Sequence, residues 1–127
     1  MWDAAGVHQQ VAAIDVVTCV RALAAGDLDA VDVASREVLR RCELGGRGPL
    51  LCWGHLLRAR LAEARDDRQA AAQERSRATD VARELGLAHH LSFTLDRSGR
   101  VAAGRGDVTA AEAVLAEAVE TAEAAGA

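Results

Sequence analysis

Apolar positions along the chain return every three or four residues, the period of an α-helix rather than the two-residue alternation of a strand. The pattern predicts six helices, at about 4–25, 28–44, 50–65, 68–85, 88–104 and 108–125. The clearest break is Gly45-Gly46-Arg47-Gly48-Pro49, whose glycines stop one helix and whose proline can start the next. The last segment sets Ala111, Val114, Leu115, Ala118, Ala122 and Ala125 on one face, with Glu112, Glu117, Glu120 and Glu123 elsewhere. The first is apolar nearly all round, interrupted by Asp15, Thr18 and Arg21. A helix of that kind is expected to be covered on most sides, by further repeats, a second copy or a partner.

Over this pattern runs a period of 40 residues. Gly26-Asp27-Leu28 returns as Asp66-Asp67-Arg68 and as Gly106-Asp107-Val108. Small residues keep step with it: Cys19, Ala59 and Gly99 before the turn, then Val31, Ala71 and Ala111, Val38, Ala78 and Ala118, and Cys42, Ala82 and Ala122 after it. The positions after the turn share one helical face, where small side chains let helices approach closely. At the turn itself, glycine accepts the left-handed conformation that ends a helix, and the following aspartate can cap the next. Asp66 stands where the other copies have glycine, so the middle turn is expected to be strained or to end its helix differently.

Composition agrees with helices. Half of the 127 residues are apolar, alanine leads them, and Trp2, Trp53 and Phe93 are the only aromatics. All 15 basic residues are Arg, which points to a GC-rich coding sequence. The net charge of −4 is distributed as an acidic start, a basic middle over 36–105 and an acidic end, without the strong basic excess of a nucleic-acid binder. Cys19, Cys42 and Cys52 are odd in number and irregular in spacing, which fits a reducing compartment rather than a disulfide framework. No apolar run is long enough to span a membrane, and no signal peptide is evident, so a cytoplasmic location is expected.

The residues Leu23-Ala24-Ala25-Gly26-Asp27-Leu28-Asp29-Ala30-Val31, and again Val101 to Ala111, resemble a tetratricopeptide repeat, with Cys19, Ala59 and Gly99 at that family's close-packing position. The repeat is longer than the usual 34 residues or so, and Glu43, Arg83 and Glu123 replace its helix-ending proline. The longer, alanine- and arginine-rich form, with endings such as Ala82-Arg83-Glu84-Leu85-Gly86, looks like the sensor arrays of bacterial transcriptional activators of the maltose-activator and LuxR type. The resemblance implies a single all-α domain over 1–127, a right-handed solenoid of three helix pairs at about 4–44, 50–85 and 88–125. It implies a scaffold for protein–protein contact, regulatory or self-associating, or alternatively a ligand-sensing piece of a regulator. The phosphate-binding Gly-x-x-x-x-Gly-Lys of such activators cannot exist in a chain without Lys.

No cluster meets the requirements of catalysis, and neither a metal nor another cofactor is expected. Cys52 and His55 form a lone Cys-x-x-His, and a structural zinc site needs four ligands. Asp66, Asp67, Glu63 and Asp96 are carboxylates without a shared reacting centre, and Ser92, Ser98, His89 and His90 lack an orienting third group. The resemblance does suggest an inner groove. Its inward positions are Ala13, Val16, Val20 and Leu23, then Trp53, Leu56, Arg60 and Glu63, then Phe93, Asp96 and Arg100. Trp53, Leu56, Arg60, Phe93, Asp96 and Arg100 are the expected partner-binding set, suited to an acidic or C-terminal peptide or a partner helix. Val16, Val20 and Leu23 are the expected self-association face. Against this, Trp53 reads readily as core, and Phe93 reads equally well either way.

Overall fold

A computed structural model describes residues 4–45 and 48–87, together with residues 95, 98, 100, 101, 104, 106, 107, 109, 110, 112, 113, 116, 117, 119, 120 and 123. Among the described residues four helices are delimited: α1 Ala4–Ala25, α2 Leu28–Leu44, α3 Pro49–Ala64 and α4 Arg68–Glu84. Among the described residues there is no strand, so the all-α reading holds. The three-pair, six-helix solenoid does not: the helices predicted at 88–104 and 108–125 are not among the four elements. Small residues in register measure helix propensity and close approach rather than the number of helix pairs. The chain divides into two compact units, Met1–Ala78 and Thr79–Ala127. No described helix is long and apolar enough to cross a membrane.

The turns explain where the helices end. Gly26 has φ +76°, its N–H donates to Leu23 O, and the Asp27 N–H reaches back to Ala22 O. This pair of bonds closes the orphan carbonyls of α1 with a left-handed residue at the turn. The same pair recurs forty residues on, from Asp66 to Glu63 O and from Asp67 to Ala62 O. Asp27, Asp67 and Asp107 each accept from the backbone N–H three residues ahead, at 3.2, 3.1 and 3.1 Å. At the start of α3 no side chain caps the helix; extended Gly48 leads into Pro49, whose missing N–H costs nothing there.

Asp66 adopts φ +58°, the left-handed conformation that glycine takes in the other two copies. A side chain there is strained by about 1 kcal/mol. Asp66→Gly is therefore expected to stabilise the chain by about that amount, and Gly26→Ala to destabilise it comparably, each read from urea unfolding midpoints.

Within the first unit, α1, α2 and α3 pack on one another. Cys19, Val31, Ala34, Leu57 and Leu61 form a shared core, flanked by Val16, Ala22, Leu23 and Leu28. The described small residues of the 40-residue register are all buried: Cys19, Ala59, Val31, Ala71, Val38, Ala78, Cys42 and Ala82. Gly99, Ala111, Ala118 and Ala122 lie outside the described residues or have undescribed side chains. At Gly54 α3 approaches α2 closely, for an added Cβ would stand 2.7 Å from Leu39 Cδ2 and 3.1 Å from Val38 Cγ1.

Candidate functional site

Two stripes of equal spacing face one another across the first unit. On α1 they are Ala13, Val16, Val20, Leu23 and Ala24; on α3, Leu50, Trp53, Leu57 and Arg60. Each is a run of i, i+3, i+7 and i+10, one face of a helix. Between them lies a groove of about 670 Å³. Eight of its nine lining residues are apolar, which leaves Arg60 as its single charge.

The apolar wall continues past the groove over the shoulder of α1. Ile14 is 63 % exposed, and Val17 and Val20 are each 51 % exposed. Thr18 and Arg21, at i+4 and i+7 from Ile14, interrupt this shoulder and are exposed, whereas Asp15 lies to another side. Thr18 satisfies its hydroxyl by donating to Ile14 O at 3.1 Å. Asp15 is turned toward α2, where one of its oxygens is shut from solvent without a hydrogen-bond partner. Burial, and then the charge of Glu37, hold its carboxyl above the ordinary range against the pull of Arg41 and Arg40. The uncovered apolar surface expected of α1 is thus present in the described chain.

Arg60 is distinguished by what its neighbours on α3 do. Arg58 donates to Asp32 Oδ1 and to Ser35 Oγ, both at 3.0 Å, and its Nε lies 3.9 Å from Glu74 Oε1. Arg65 reaches Asp29 at 3.5 Å and Asp32 at 3.9 Å. His55 Nδ1 meets Glu74 Oε2 at 2.8 Å, and Arg77 also donates to Glu74 at 2.8 Å. These contacts make a polar seam that ties α2, α3 and the start of α4. Arg60 is two residues from Arg58, roughly 200° further round the helix, so it faces away from the seam. Among the described residues it makes no ion pair or hydrogen bond, and it is exposed.

The seam has the electrostatics of a structural clamp. The hydrogen bond from Arg58 holds the Asp32 carboxyl below its ordinary range. Burial pushes Glu74 up, but His55, Arg77 and Arg58 together outweigh it and the net shift is downward. Both carboxylates therefore stabilise the fold at neutral pH, and that contribution is lost as pH falls from their unfolded values through their lower folded ones. An Asp32→Asn chain is expected to lose less stability than the parent between pH 5 and pH 3, as followed by thermal melts.

The other sequence candidates resolve as follows. Trp53 is 38 % exposed and lines the groove, so it is not core. Leu56 is 5 % exposed and does not line it; Leu57 does. The 40-residue register selected Leu56 as the counterpart of Val16, but adjacent residues point about 100° apart on a helix, and it is Leu57 that turns toward α1. Val16, Val20 and Leu23, expected as a separate self-association face, share the groove with Trp53 and Arg60. Glu63 is engaged by the buried Arg75 at 2.7 Å. Phe93 and Asp96 lie outside the described residues; Arg100 is described, is exposed and belongs to the second unit.

Nothing gathers around Cys52 and His55 to hold a metal, and no such cluster occurs among the described residues. Burial pushes the thiols of Cys42 and Cys52 up to about 11 and raises that of Cys19 as well. The Cys52 thiol donates to Ala78 O at 3.5 Å. Thiols so placed are poor nucleophiles. Asp67 is a helix cap, Asp66 a turn residue, and Ser98 is half-buried. Ser92, His89 and His90 lie outside the described residues. Ala24, Leu50 and Leu57 were the groove residues that sequence reasoning passed over; on α3 the stripe Leu50, Trp53, Leu57 and Arg60 was the available signal.

No protein-family model matches the chain, and no curated protein and no solved structure matches it.

Proposed function

We propose that this chain is a protein-interaction module, and that the groove between α1 and α3 receives an apolar segment of a partner. The reading is carried by one observation: an apolar channel that opens onto the uncovered Ile14, Val17 and Val20. Exposed apolar surface that is continuous rather than scattered marks interaction sites. A grooved helical surface is a common receptor for an amphipathic helix, which inserts residues at i, i+3, i+4 and i+7. The likeness to tetratricopeptide arrays supports the same role.

A second reading is ligand sensing within a bacterial transcriptional regulator. The groove volume favours it, since about 670 Å³ lies in the range of small-molecule pockets. The two readings separate by titration. Trp53 fluorescence is followed in a Trp2→Phe chain while amphipathic helical peptides are added. A saturable blue shift, lost in Val20→Asp with helical circular dichroism intact, is expected of the interaction module. If no peptide perturbs Trp53 while a small apolar metabolite raises the melting temperature, the sensor reading replaces it.

A further inference from the structure

Resting on the interaction reading, we infer that the groove selects an acidic partner helix, with a carboxylate at one end of its apolar stripe set against Arg60. Three observations converge on it.

The first is selectivity among cations. Arg58, the other arginine of α3, and Arg65, just past its end, are held by acids of α2 and α4, and Arg75 of α4 is held by Glu63. Arg60 has no such partner among the described residues, and no acid lines the groove. The second is position. Arg60 is the last of the four groove residues on α3, so the charge stands at one end of an apolar stripe rather than within it. The third is length. Ala13 to Ala24 and Leu50 to Arg60 each rise about 15 Å along their helices. That accommodates about three turns of a partner helix, carrying apolar residues at i, i+3 or i+4 and i+7, with its acid placed just beyond them.

A guanidinium at the rim of an apolar channel is the natural receptor of a carboxylate. It offers parallel N–H donors, and each bond to a charged group is stronger than a neutral one. A helix seated on Trp53 and Val20 would also exclude water from the pair and weaken its screening. A basic segment would meet repulsion at the same place.

The test uses three peptides with one apolar face, differing only in a terminal pair of Glu, Gln or Lys, each prepared with the pair at either end. Binding to the full chain is measured by Trp53 fluorescence in the Trp2→Phe background. The Glu peptide with its acids at the favoured end is expected to bind about tenfold tighter than the Gln peptide, and the Lys peptide more weakly than either. In Arg60→Gln the advantage of Glu over Gln disappears. Arg60→Lys keeps part of it. Added salt reduces it in the parent chain.

Equal binding of the Glu and Gln peptides, or a Glu preference that survives Arg60→Gln, overturns the inference and leaves the interaction reading standing. Failure of all three peptides overturns both. A medium-chain aliphatic acid that binds with the same dependence on Arg60 when no peptide does also removes the helix as occupant. So does a dimer of this chain that the Glu peptide cannot dissociate.

Discussion

Replacing Gly54 with valine is expected to lower stability by about 3 kcal/mol, shifting the urea midpoint well outside the range of surface substitutions. The glycine sits where α3 lies close against α2, and the new Cβ would begin 2.7 Å from Leu39 Cδ2 and 3.1 Å from Val38 Cγ1. Leu39 is only partly buried, so the end of its side chain can swing aside. Val38 is fully buried and β-branched, so it has little room to turn. Two branches on the same Cβ would leave α3 no path except to lift away from α2. Gly54→Ala makes a useful contrast. It adds one carbon, gains about 1 kcal/mol of helix propensity and should come out close to neutral. If valine is tolerated as well as alanine, the close crossing of α2 and α3 is wrong.

Leu61→Ala is expected to cost about 4 kcal/mol, toward the upper end of the range for such truncations. The size follows from its company. Leu61 is packed with Cys19, Val31, Ala34 and Leu57. The side chains of Cys19, Ala34 and Val31 are too short to move into the space it would leave, so the cavity stays open. Leu61→Met conserves volume and should cost less than about 1.5 kcal/mol. Chemical denaturation of the two variants beside the parent checks both values. A loss for alanine no greater than that for methionine would mean the shared core of α1, α2 and α3 is not packed as described.

The two kinds of information in the sequence differed in reach. Helix ends were legible because their chemistry is local. Gly26, Asp27, Asp67 and Pro49 determine their turns through residues at most five positions away, and the four helices found begin and end within one residue of where the pattern puts them. Burial of the small register residues was legible for a related reason, since a close-packed face tolerates nothing larger. The count of helix pairs was not: four elements are described, and a register of small residues shows where helices can lie close rather than how many of them do.

What faced the groove was half legible. Ala13, Val16, Val20, Leu23, Trp53 and Arg60 were in view, while Leu56 stood in for Leu57 because a repeat register cannot tell which way one helix rolls against the next. The seam was invisible. Arg58 meets Asp32 across 26 residues and His55 meets Glu74 across 19, pairings that no spacing rule selects. The lone Cys-x-x-His of Cys52 and His55 divides in the same way, one packed in the interior and the other belonging to the seam.

The seam has a consequence for whatever enters the groove. It fastens α3 from behind, on the face opposite Arg60, so the receiving wall is already in place before a visitor arrives. A receptor set in advance spends little conformational freedom on capture. The entropic toll then falls on the incoming segment, which must coil up to fit, and affinity will be governed by how readily that segment is helical while still at large.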